Sequence, residues 1–195
     1  MKKLKFLFPV IIIATLTACG HGKKILVYAN TDSFNVDASQ KNITLTDGTT
    51  HQEKELEFGG GTVTLNIQSG SGKFTLDATD DGLYIVNLQK DTIVGSFQHI
   101  GSDNGTVKYT ADQVKQVVDS LSQLTMGKNV SAANKNYFIP PNSIVKITAN
   151  TKATIIGPYN KIPSGFDASS VTELYKFYTN KGVREIVGNL TGMTK

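Results

Sequence analysis

The chain has 195 residues, 39% of them hydrophobic, enough for one ordinary domain or two small ones with modest cores. Its formal charge of +4 falls to +1 once Lys2, Lys3 and Lys5 are set aside, and Arg184 is the sole arginine; both facts argue against a nucleic-acid partner, which would call for a basic, Arg-rich stripe. The single cysteine, Cys19, leaves no disulfide and no Cys-based metal site, and the absence of tryptophan removes the ring on which sugar sites and interface hot spots most lean.

The first residues read as a basic start, Met-Lys-Lys-Leu-Lys, an apolar stretch from Phe6 to Ile13 continuing through Leu16, and then Leu16-Thr17-Ala18-Cys19. The apolar part is shorter than the roughly 20 residues a membrane span needs, as in an export signal. Leu16-Thr17-Ala18-Cys19 resembles the lipobox of bacterial lipoproteins: an aliphatic residue, two small residues and an obligatory cysteine. That resemblance implies removal of residues 1–18 by a signal peptidase that reads Leu16, Thr17 and Ala18, and a palmitate-type lipid on Cys19. Two or three acyl chains, at about 0.8 kcal/mol per buried CH₂, anchor stably where one would be marginal. Residues 19–24 form a tether of at most roughly 20 Å, so the domain is expected to work close to a membrane. Gly20 stands where many inner-membrane lipoproteins of enteric bacteria carry Asp, which points to the outer membrane in a Gram-negative host.

Residues 25–109 read as a β-rich domain. Ile25–Tyr28, Asn42–Thr46 (closed by Asp47-Gly48), Thr62–Ile67, Lys73–Ala78 (closed by Asp80-Asp81-Gly82), Leu83–Leu88, Thr92–Phe97 and Thr106–Tyr109 alternate between turn signals at intervals of about ten residues. The pattern predicts an antiparallel sandwich or a partly open barrel.

Residues 110–195 read as a smaller α+β region with two or three helices, packed with the preceding part or separate from it. Thr110 is a predicted N-cap, with Val114, Val117, Val118, Leu121 and Leu124 at helical spacing before Gly127. After Pro140-Pro141, Ser143–Thr148 and Ala153–Ile156 read as strands joined by a hairpin across Asn150-Thr151. A helix is expected from Ser169 or Ser170 with Val171, Leu174, Tyr175 and Tyr178 on one face, and a shorter one holding Val183, Ile186, Val187 and Leu190. The fold class expected for the whole chain is α+β. It has no internal repeat, low-complexity tract or long linker.

The motifs are weak. Asp77-Ala78-Thr79-Asp80-Asp81-Gly82 matches the opening of a calcium loop, but Leu88 stands where a bidentate Glu is required, so a β-turn explains it better. His51, Glu53, Glu55 and Glu57 share a strand face about 6.6 Å apart in succession, which fits a solvated face better than one metal site. Gly59-Gly60-Gly61 and Ser69-Gly70-Ser71-Gly72-Lys73 lack the P-loop pattern, and Ser143-Ile144-Val145-Lys146 lacks the companions of penicillin-recognising enzymes. The three histidines, 21, 51 and 99, are scattered, and nothing calls for a cofactor.

The aromatic loops around Tyr137, Phe138 and Tyr159 could line a binding surface or pack into a core. The reading this favours is a non-catalytic accessory module that holds another envelope protein, with a small-ligand or glycan binder second and a cell-wall or polymer hydrolase third. A pocket with convergent polar groups would favour the second or third, a flat apolar patch the first.

Overall fold

A computed structural model describes residues 22–70, 72–98, 110–159 and 171–193. The signal segment, the lipobox with Cys19, and the expected strand Thr106–Tyr109 lie outside the described residues. In chain order the elements are β1 (Lys23–Asp37), β2 (Asn42–Phe58), β3 (Val63–Ser69), β4 (Gly72–Ala78), β5 (Gly82–Leu88), β6 (Ile93–Gln98), α1 (Ala111–Thr125), β7 (Asn136–Ile139), β8 (Ser143–Thr148), β9 (Thr154–Ile156), β10 (Leu174–Thr179) and α2 (Asn180–Met193). The fold is strand-rich α+β, as expected.

Six strands, in the order β4-β3-β2-β1-β5-β8, make one sheet, and β4 comes round beside β8 so that the sheet nearly closes. The closure originates in the β1–β2 hairpin. Asp47-Gly48 does not end a strand: β2 runs on to Phe58, and the turn is at Ala38–Lys41, where Asp37 Oδ1 accepts the Ser39 hydroxyl at 2.6 Å and the Gln40 amide at 3.1 Å. Between the pairs Asn30–His51 and Thr31–Asp47 the second strand carries extra residues, and a further shift separates Thr31 from Phe34. Bulges of this kind bend both strands sharply. Buried Thr31 holds the corner, its hydroxyl lying 2.6 Å from the Ser33 carbonyl and against that of Thr46.

Chain length demands the corner. Asn42 pairs with Asn66 of β3, only eight residues beyond Phe58, a reach of at most about 28 Å, whereas a straight β2 would carry Phe58 about 53 Å from Asn42. Folding back lets the inward residues Ile25, Val27, Phe34, Ile43, Leu65, Ile67 and Val86 meet in one core.

The pairing is mixed, not purely antiparallel. β1 lies parallel to β5, and β2 to β3. Period-two alternation is the same for both orientations, so the sequence pattern does not separate them. The hint is β5 itself, which is buried along its whole length and reads as the nearly continuous apolar run of a two-sided strand.

The second sheet has the order β7-β6-β10-β9 and packs on the outer face of β1, β5 and β8, burying Leu26, Tyr28, Ile85, Ile93, Ile139, Tyr175 and Phe177 between the layers. Strands from both sides of residue 110 therefore contribute to each sheet. The helix expected from Ser169 or Ser170 begins outside the described residues, and its Leu174, Tyr175 and Tyr178 lie instead in β10: Tyr175 and Phe177 point into the inter-sheet core, and β10 bridges β6 and β9. Aromatic residues at alternate positions suit a pleated, half-buried surface, which outweighs an accidental helical spacing. Ser143–Thr148 and Ala153–Ile156 form no hairpin, since β8 joins the first sheet and β9 the second.

The helices cover the far face of the second sheet, with Val94, Leu124 and Val183 buried and Leu121, Phe138 and Val187 packed round them. At the start of α1 the Thr110 hydroxyl accepts the Gln113 amide at 3.3 Å, and the Gln113 side chain accepts the Thr110 amide at 2.8 Å. This capping box satisfies two otherwise free donors. No helix among the described residues is long and apolar enough to cross a membrane.

Candidate functional site

Where β1 reaches its bulge, three strands present polar side chains on the face turned towards the second sheet. Across β2-β1-β5, Glu53, Tyr28 and Asn87 lie in one row. In the next row His51 stands opposite Asn30, with Gln89 just past the end of β5. Alternation puts Tyr28 and Asn30 on one face, and the parallel register of β5 brings Asn87 and Gln89 beside them.

Asn87, fully buried, holds the ground structure: its amide donates to the carbonyls of Asp91 and Ile139, each at 2.9 Å, and its oxygen accepts the Gln89 backbone amide at 3.0 Å. Over this floor comes the strap Gly157-Pro158-Tyr159, whose Gly157 and Pro158 are buried. A side chain at Gly157 would meet the Tyr28 hydroxyl at 2.9 Å, so glycine is what allows the strap to lie this close. The Tyr159 ring stacks on His51 with centroids 3.8 Å apart. Its hydroxyl donates to Gln89 Oε1 at 2.5 Å and lies 3.5 Å from Asn30 Oδ1, while His51 Nδ1 is 2.9 Å from the same Asn30 oxygen.

Two polar atoms in this cluster have no hydrogen-bond partner among the described residues: the Tyr28 hydroxyl and Gln89 Nε2, in residues 0% and 2% exposed. Buried polar groups are nearly always paired, because leaving one unpaired costs about 1–3 kcal/mol. Burial, with Glu53 second, raises the Tyr28 pKa, and burial with Asp91 pushes Tyr159 up to about 12. Both phenols therefore stay neutral at physiological pH, as donors and acceptors of hydrogen bonds and not as charges.

A second polar cluster is structural. Glu173 accepts the Thr148 hydroxyl at 3.1 Å and the Tyr175 hydroxyl at 2.5 Å, and Lys135 lies 3.8 Å from it over the Phe97 ring. Each of these polar groups has a partner, and the cluster ties β8 to β10.

The three aromatic residues singled out from sequence separate. Tyr137 is buried between the sheets and donates to the Ile147 carbonyl at 2.6 Å. Phe138 points the other way, against the helices, and Tyr159 alone lies at the cluster just described. His51 joins Tyr159, whereas Glu55 is occupied with Lys24 at 2.7 Å. No group of three His, Cys, Asp or Glu side chains among the described residues is placed to hold a metal. Asp77, Asp80 and Asp81 are engaged separately, with Thr64, Lys146 and Lys23. Ser143 and Lys146, three apart on a strand, face opposite sides.

Sequence reasoning missed Tyr28, Asn30 and Gln89. Tyr28 and Asn30 sit inside or beside an apolar strand run, and Gln89 reads as an ordinary turn residue. A polar side chain inside or at the end of an apolar strand run was the available signal. Cys19, Leu16, Thr17 and Ala18 lie outside the described residues. In comparisons with known proteins, the chain matches no family model, no curated protein and no solved structure.

Proposed function

We propose that the protein is an exported, lipid-anchored module of the bacterial envelope, non-catalytic, that binds a small polar ligand at the Tyr28–Gln89–Tyr159 cluster. The lipobox supports the anchor: Cys19 carries the lipid, and only Gly20 and His21 separate it from the first described residue, Gly22. The anchor faces the outer membrane in a host with two membranes. The observation that carries the binding reading is that two buried polar atoms stand unpartnered under the strap whose Tyr159 stacks on His51, polar groups of the kind that orient a ligand in a protein site. It favours a ligand over a protein partner, because the exposed large hydrophobic residues among those described, Val117, Met126 and Val130, are few.

The anchor is tested by Cys19→Ser, which is expected to leave uncleaved precursor that takes up no labelled palmitate; continued maturation and labelling would refute it. Binding is tested by native mass spectrometry of the lipoprotein extracted from its own membranes. A small molecule bound one per chain is the expected result. A stoichiometric envelope protein in its place would move the function to an accessory subunit.

A further inference from the structure

We infer that the ligand of this site bears neighbouring hydroxyl groups, as a neutral saccharide does, and that the phenol of Tyr159 occupies the position one of those hydroxyls takes. The inference rests on the binding reading above and names its chemistry.

The argument is one of matching donors and acceptors. Gln89 Nε2 can only donate, so its partner must accept. Asn30 Oδ1 can only accept, so a group reaching it must donate. The Tyr28 hydroxyl can do either. A carboxylate or phosphate satisfies Gln89 and leaves Asn30 facing a second acceptor, and it would lie beside Glu53, which already acts unfavourably on any negative charge at Tyr28. An ammonium satisfies Asn30 and leaves Gln89 Nε2 facing another donor. A hydroxyl donates and accepts at once, and two on adjacent carbons can serve both amides together. Over them, the His51 ring, on which Tyr159 now stacks, supplies an aromatic face against which a sugar ring packs once Tyr159 leaves it.

Tyr159 already illustrates the fit. Its hydroxyl fills the donating half, giving its proton to Gln89 Oε1 at 2.5 Å and lying 3.5 Å from Asn30 Oδ1, and leaves Gln89 Nε2 for a second, accepting hydroxyl; the side chain that holds it there is only half-buried. The phenol caps Gln89, and Gly157 of the same strap lies against the Tyr28 hydroxyl, so a ligand reaches them by displacing the phenol together with the strap. Tyr159 is thus an internal competitor, and its removal strengthens binding.

The test uses the full lipoprotein in detergent micelles on an array of neutral and N-acetylated oligosaccharides, followed by calorimetric titration with the retained glycan. Wild type is expected to retain at least one glycan, Gln89→Leu and Tyr28→Phe to weaken it by about tenfold or more, as when a buried hydrogen bond to a ligand hydroxyl is lost, and Tyr159→Phe to bind a few-fold tighter. Melting temperatures of all four proteins check that each is folded, and Tyr28→Phe keeps the ring that packs the core. Equal affinity in wild type and Gln89→Leu would overturn the inference, as would binding lost in Tyr159→Phe. A hydroxyl-free metabolite found in native mass spectra and lost in Gln89→Leu would overturn the ligand class while keeping the binding module. No retained molecule of any kind in wild type and Tyr159→Phe would overturn both.

Discussion

The Tyr159 phenol donates to the buried amide oxygen of Gln89 at 2.5 Å, across 70 residues of sequence. The contact fixes the strap to the floor of the cluster. It also sets a contrast with Tyr28, whose hydroxyl is buried without a partner among the described residues. Deleting the first hydroxyl leaves a buried acceptor unsatisfied, at a cost of about 1–3 kcal/mol, whereas deleting the second removes a group that was already unpaired. In the ligand-free protein, Tyr159→Phe should therefore lower stability in urea unfolding, and Tyr28→Phe should leave it unchanged or higher. Equal losses in the two variants would contradict the contrast.

Alkaline stability follows from the same phenols. Burial raises the pKa of Tyr28, Tyr159 and Tyr175, with Glu53, Asp91 and Glu173 respectively adding to the shift, and Tyr159 reaches about 12. An unfolded tyrosine ionises near pH 10. Between pH 10 and 12 the unfolded chain thus binds fewer protons than the folded one, and stability falls as pH rises. Below pH 10 these groups contribute their full effect. Melting temperature measured from pH 8 to 12 should be level in this respect up to about 10 and then drop, and Tyr28→Phe should make the drop shallower. An unchanged slope in that variant would count against a buried, neutral Tyr28.

Gly95 lies in β6 directly opposite Phe177 of β10. A methyl group there would come within 2.3 Å of the Phe177 ring and 2.6 Å of the Lys176 carbonyl, and Phe177 is wholly buried. The backbone oxygen cannot move without disturbing the β6–β10 ladder. Gly95→Ala should cost about 1–3 kcal/mol as overpacking, while Phe177→Ala should cost about 3–5 kcal/mol through the cavity it leaves. Chemical denaturation of both variants measures the difference.

These interiors also explain what could be read from the sequence. Lys73–Ala78 and Leu83–Leu88 are strands as their pattern and turn residues indicate, and Thr110 with the helical spacing from Val114 to Leu124 announces α1, because each signal is local. The bend at Thr31, the parallel register of Ile25 against Tyr84 and the insertion of Leu174–Thr179 between β6 and β9 are not local. They depend on which distant strand lies alongside, and a period of two is silent on that. The candidate site inherits the same blindness. His51 and Tyr159 were each visible as unusual side chains, but only the β1–β2 register and the strap over Tyr28 bring them into contact.

At the Lys23 end of β1 an ion pair closes the inside of the nearly closed sheet. Lys23 follows the inward parity of Ile25 and Val27, its side chain is 0% exposed, and its ammonium lies 3.2 Å from Asp81, which remains 34% exposed. Removing one partner of such a pair is worse than removing both, since the remaining charge keeps its desolvation cost and loses its compensation. Asp81→Asn should cost about 3 kcal/mol, at the low end for a broken buried pair because the carboxylate side is partly wet. Lys23→Met, which fills similar volume without charge, should be close to neutral, and adding it to Asp81→Asn should recover most of the loss. A double variant no more stable than Asp81→Asn alone would mean that the lost stability came from the Asp80-Asp81-Gly82 turn and not from a stranded ammonium.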